Sequence, residues 1–192
     1  MIKTGIYGGS FNPIHNGHIA LARQLLAAAS LDEVWFVVSP QNPFKQTSSD
    51  LLDDVERLEL TRLALADDDR LVACDYEYHL PKPSYTWHTL QSMSRDYPDR
   101  TFTLLIGADN WLAFDRWYHG EDILSRYSIV VYPRKDSPID ALALPTNVHL
   151  LDAELYNISS SEIRRRVRAH LPIDGMVPDC IADKVVEYYQ GM

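Results

Sequence analysis

Ile2-Lys3-Thr4-Gly5-Ile6-Tyr7-Gly8-Gly9-Ser10-Phe11-Asn12-Pro13-Ile14-His15-Asn16-Gly17-His18 is the stretch on which the reading of the fold turns. Ile2–Tyr7 is a short apolar run that stops at Gly8-Gly9, as a buried strand does on entering a turn. Behind it, Gly17–Ala29 carries Ile19, Leu21, Ala22, Leu25 and Leu26 at helical spacing, so the turn opens into a helix beginning at Asn16 or Gly17. A strand, a glycine turn and a helix in that order begin a βαβ unit.

The same alternation runs to the end of the chain. Val34–Ser39, Leu71–Cys74, Thr101–Ile106, Ser128–Tyr132 and Val148–Leu151 read as strands, the first rich in β-branched and aromatic residues. Leu51–Ala66 reads as a helix with Asp50 placed as its N-cap, and Tyr85–Tyr97 as a helix after Ser84. Ser160–Ala169 and Asp179–Tyr189 close the chain as helices, and Pro133–Pro145, with three prolines, reads as a surface loop. Strands separated by helices predict an α/β fold, Rossmann-like and doubly wound, with a mostly parallel sheet covered on both faces. Such sheets bind ligands beyond the carboxyl ends of their strands. Gly8–His18 and Gly107–Asn110 fall there. Residues 1–192 read as a single domain, a size that buries a sizeable core.

Composition narrows the class. No apolar run approaches the ~18 residues that span a bilayer, and the first ten residues lack the core of a secretory signal. The expected location is the cytoplasm, with no membrane partner. Cys74 and Cys180 fit no metal spacing and no disulfide framework. A net charge of −9 argues against a nucleic-acid partner, which needs a basic face. A small anionic ligand remains compatible, because charge acts locally, within about 8 Å. Arg164, Arg165, Arg166 and Arg168 do cluster. The sequence leaves a homo-oligomer open.

In Gly8–His18 the two glycines let the backbone approach a ligand, and the helix start that follows presents free N–H groups suited to phosphate. His15 and His18 are three apart, so both imidazoles can face one side and donate to phosphate oxygens. A second string, Ile158–Val167, offers Ser159, Ser160 or Ser161 as the cap of a helix with Glu162 in its first turn. Arg164 then stands near that helix start.

GGSFNPIHNGH resembles the H-x-G-H signature of the nucleotidyltransferase superfamily, in the form found in the nicotinate-mononucleotide adenylyltransferases, and ISSSEIR resembles its I-S-S-[ST]-x-I-R motif. The resemblance implies that His15, His18 and Arg164 carry catalysis at the ATP phosphates, aided by Ser159 and Ser160. By the same resemblance, Gly8, Gly9 and the backbone around Ser10 and Phe11 face phosphate, and Lys45 lies nearby. Gly107-Ala108-Asp109 is similar to the family's G-A-D motif, in which the Asp holds a ribose or the adenosine. Ser84-Tyr85-Thr86 and His88-Thr89-Leu90 resemble S-Y-T-x-D-T-L, with His88 where the family commonly has Asp. The match implies that Thr86 binds the pyridine carboxylate and that Trp117 stacks on the pyridine ring. It implies ATP and nicotinate mononucleotide as substrates, with Mg²⁺ bound mainly through ATP phosphates and no protein metal ligand. The rival readings are an adenylyltransferase for nicotinamide mononucleotide or another phosphomonoester, and a non-catalytic nucleotide-binding module.

Overall fold

The structure, a computed structural model, describes residues 1–40, 50–154 and 156–192. Among the described residues, six strands form one sheet: β1 Ile2–Gly9, β2 Glu33–Val38, β3 Leu71–Cys74, β4 Arg100–Gly107, β5 Ser128–Tyr132 and β6 Val148–Leu150. Their order is β3-β2-β1-β4-β5-β6, and every pairing is parallel. The chain leaves β1 toward β2 on one side and later returns to β4 on the other. The crevice at that reversal, beyond the C-terminal ends of β1 and β4, is where such sheets take ligands.

The helices are α1 Asn16–Ala28, α2 Asp54–Leu65, α3 Thr86–Asp96, α4 Ala108–Leu112, α5 Gly120–Arg126, α6 Ser160–Arg168 and α7 Asp179–Tyr189. Strand alternation splits the core in two. Val34, Phe36 and Val38 of β2 face α1, α2, α6 and α7, whereas Trp35 and Val37 face α3, α4 and α5. A sheet buried on both faces explains why its strands read as unbroken apolar runs. Each fully buried side chain, such as Leu25, Leu60 or Leu90, contributes about 1.5–3 kcal/mol by its removal from water. Among the described residues, no helix is long and apolar enough to cross a membrane.

One expectation needs correction. The helix after β2 begins at Asp54, and Asp53, not Asp50, caps it by accepting from the Val55 N–H at 2.9 Å. Asp50 instead pairs with Arg168 at 2.9 Å and accepts at its carbonyl from the Asn12 amide. Gly107–Asn110 does lie at a strand end, with α4 starting at Ala108 directly after β4.

Candidate active site

The turn after β1 is held from below. Arg57, on the buried face of α2, is fully buried. It donates through Nη1 to the Ser10 carbonyl at 2.6 Å and the Ser39 carbonyl at 2.9 Å, and through Nε to the Leu52 carbonyl at 2.9 Å. One guanidinium thereby ties the ends of β1 and β2 together. Phe11 adopts a left-handed backbone, φ 45°, and turns its ring into the core against Tyr7 and Phe36. A Cβ on Gly8 would meet nothing within 4 Å, so the backbone there faces open space. The Asn12-Pro13 peptide is cis.

His15 caps α1, and the cap is reciprocal. The His18 N–H donates to His15 Nδ1 at 3.3 Å, and the His15 N–H donates to His18 Nδ1 at 3.2 Å. The rings stack with centroids 3.6 Å apart. A nitrogen that accepts is unprotonated, so this network assigns the proton of each neutral ring to Nε2. Both histidines thus become donors at Nε2 by the same contacts that start the helix. Burial, helped by the charge of Arg134, lowers the pKa of His15 to about 4, so its ring is neutral at physiological pH.

The second motif docks onto the first. Ser159 caps α6, its hydroxyl accepting from the Glu162 N–H at 3.2 Å. Ser160 donates to the Pro13 carbonyl at 2.9 Å, and Arg164 Nη1 donates to the Asn12 carbonyl at 2.7 Å. The Arg164 Nε is buried without a hydrogen-bond partner. The start of α6 therefore stands beside the histidine turn, and its orphan N–H groups and partial positive charge suit an anion there.

On the opposite side of the crevice a cavity runs from Gly8 and Gly9 to Thr86, Asn110, Trp117 and Tyr118. The expected pyridine residues Thr86 and Trp117 thus share one cavity with the glycine turn. Gly107 ends β4, and a Cβ there would sit 2.4 Å from Asp109 Oδ1 and 2.9 Å from Arg134 Nε. Any side chain there would push aside that pair, which lies exposed with 3.7 Å between its charges. Lys45 lies outside the described residues.

Sequence reasoning missed Arg57, Arg134 and Glu77. Arg134 stacks on Tyr132 just beyond β5, where the strand-end rule alone would have found it. Arg57 carried a weaker signal, a cation on the helix face that also holds Leu60 and Thr61. Glu77, flanked by Tyr76 and Tyr78 after β3, carried none.

Comparison with known proteins agrees with this geometry. Residues 6–166 match the family model described as Cytidylyltransferase-like. A Bacteroides fragilis protein named "Probable nicotinate-nucleotide adenylyltransferase" is 46% identical over 96% of this chain and 92% of its own. A Cytophaga hutchinsonii protein of the same name is 42% identical over 99% of this chain and 100% of its own. Among solved structures, the Plasmodium falciparum nicotinic acid mononucleotide adenylyltransferase complexed with NaAD superposes with a TM-score of 0.81. That match covers 98% of this chain and 96% of the other at 21% identity, a likeness of fold. The doubly wound sheet with its histidine turn is that of a nucleotidyltransferase of the cytidylyltransferase-like class. Within that class, the chain belongs to the nicotinate-nucleotide adenylyltransferase family.

Proposed function

We propose that the protein transfers the adenylyl group of ATP to nicotinate mononucleotide, giving nicotinate adenine dinucleotide and pyrophosphate. The observation that carries this reading is the convergence of Arg164 and the start of α6 on the His15–His18 turn, next to the cavity that holds Thr86 and Trp117. The phosphate of the mononucleotide is already an anion at neutral pH and needs little help from a base. Its oxygen attacks the α-phosphorus of ATP, the bond to the bridging oxygen breaks, and pyrophosphate leaves. No side-chain nucleophile takes part. Catalysis comes from alignment and from donors placed where negative charge shifts during transfer.

In this reading Nε2–H of His15 and of His18 donates to ATP phosphate oxygens. Arg164, Ser159, Ser160 and the N–H groups of α6 receive the departing pyrophosphate. Gly8, Gly9, Ser10 and Phe11 bring the backbone against phosphate, and Gly107 with Asp109 holds the adenosine side. Lys45 adds a cation near the phosphates by family resemblance alone. Among the described residues, no three His, Cys, Asp or Glu side chains group to hold a metal. Mg²⁺ takes its oxygens mainly from phosphates and water. Bound there, Mg²⁺ would offset charge on the triphosphate. Residues 1–192 act as one domain in this account. A cytoplasmic location accords with the two free cysteines.

The test is product formation from Mg-ATP with nicotinate mononucleotide and, separately, nicotinamide mononucleotide. The expected result is pyrophosphate and dinucleotide, with the acid favoured. Equal efficiency with the two mononucleotides would refute the acid preference, and no product from either would refute the reaction.

A further inference from the structure

Two buried oxygens meet at the pyridine side of the cavity without partners. Glu77 stands on the turn Tyr76–His79 after β3 and is 7% exposed. Its Oε1 accepts from the Thr89 hydroxyl of α3 at 2.8 Å. Its Oε2 has no hydrogen-bond partner, and neither has the Ser84 hydroxyl, which is equally buried. Both residues line the same cavity as Thr86 and Trp117. Buried polar atoms in native proteins are nearly always bonded, so two orphans at one cavity wall point to a polar group supplied from within the cavity.

We propose that Glu77, together with Ser84, is a specificity-determining residue of this pocket, and that Oε2 and the Ser84 hydroxyl both donate to the carboxylate of the nicotinate ring. The proposal rests on the reading of the cavity as the pyridine site. Because Oε1 already accepts from Thr89, a protonated Glu77 offers the pocket a single donor, Oε2–H. The Ser84 and Thr86 hydroxyls beside it can turn to donate as well, so a carboxylate, which only accepts, finds a donor on every side. A carboxamide brings an NH2 group with no acceptor lone pair, and that group cannot take the proton of Oε2–H. Ionised, the same Glu77 would present a negative acceptor, which repels nicotinate and suits the amide. The protonation state of one buried side chain therefore sets which mononucleotide fits.

The surroundings shift Glu77 toward the protonated form. Burial pushes its carboxyl up, against an opposing pull from the Thr89 hydroxyl and from the Ser39 and Ser84 hydroxyls, which stand near it without a formed bond to Oε2, and no cation contributes. A bound carboxylate adds a like charge and pushes it further. The Cys74 thiol at the end of β3 is itself pushed up to about 12 by burial, and is uncharged at neutral pH. Asp75 is paired with Arg62. On the same turn, Tyr76 donates to Asp96 and Tyr78 to the Asp54 carbonyl. Across the cavity stand the phenols of Tyr85, Tyr118 and Tyr132, and the His88 ring lies edge-on to Tyr85 and Tyr118.

Calorimetric titration of the full chain with each mononucleotide, from mildly acidic to mildly alkaline pH, tests this. Above the pKa of Glu77 the Kd for nicotinate mononucleotide should rise about tenfold per pH unit, with proton uptake on binding, while that for nicotinamide mononucleotide does not. Glu77→Gln, whose amide keeps a donor in this place, should flatten the pH series and hold the acid preference, whereas Glu77→Met should narrow the acid-over-amide ratio by about tenfold or more. A wild-type ratio that does not move with pH overturns the proposal without any variant. So does a Glu77→Gln protein with a native-like melt that keeps the wild-type pH dependence, or a Glu77→Met protein with such a melt that keeps the wild-type ratio. Turnover of ATP by the wild type separates the levels of failure. No product with either mononucleotide sinks the reaction and the proposal together, whereas product with unmoved discrimination sinks the role of Glu77 alone.

Discussion

At the scale of single residues, the two histidines of the turn after β1 are matched in role but not in setting. His15 is buried and His18 is half-buried. His18→Ala removes one Nε2 donor and, with it, the acceptor for the His15 N–H. Turnover should fall by on the order of 10²–10³, read as kcat at saturating ATP, and a variant retaining full kcat would remove His18 from the phosphate site. His15 carries a pH signature of its own. Its pKa drops from 6.5 in the unfolded chain to about 4 in the fold. Unfolding therefore takes up a proton between these values. The stabilisation is complete above pH 6.5 and is lost as pH falls through about 4. The shift corresponds to about 3 kcal/mol. Unfolding free energies from urea denaturation near neutrality and near pH 4 should fall more for the wild type than for His15→Gln, by roughly that amount.

At the scale of elements, the contact that matters most is between α2 and the strand ends. Arg57→Met would leave the carbonyls of Ser10, Ser39 and Leu52 without their buried donor. The expected cost is about 3 kcal/mol or more, since each orphaned group loses its bond without regaining water. Because Gly9 and Ser39 also line the cavity, the apparent KM for the mononucleotide should rise as well. Equilibrium unfolding and steady-state kinetics on the one variant check both. Elements of this kind were legible wherever periodicity was strong: Leu71–Cys74, Ser128–Tyr132 and Asp179–Tyr189 have the bounds their patterns predict. The start of α2 was not, because Asp50 and Asp53 are equally good caps in sequence and tertiary contacts decide between them. Short α4 and α5 escaped because one or two turns give no period to read.

At the scale of the whole molecule, the C-terminal helices close the face of the sheet on which the histidine turn lies. Tyr189, the last residue of α7, is fully buried and donates to Asn12 Oδ1 at 2.7 Å. The same oxygen accepts from the Leu52 N–H, and the Asn12 amide donates to the Asp50 carbonyl. Tyr189→Phe should cost about 1 kcal/mol, because Asn12 keeps its other bonds, whereas Asn12→Ala should cost about 3 kcal/mol. A double-mutant cycle on urea denaturation measures the coupling, and strict additivity would show that the two do not interact. The two sequence motifs lie side by side in the fold, but the sequence does not show how they touch. Arg164 reaches a backbone carbonyl of Asn12, and a carbonyl looks alike in every residue type.

That clasp joins positions 152 residues apart. A chain emerging from the ribosome has its histidine loop almost at once, yet lacks the brace across it until translation is nearly finished. A product that ends before α6 would lack both this clasp and the side chains of Ile163, Ile181 and Tyr189 that fill one face of the core, so the end of the chain has to arrive before the first turn is braced.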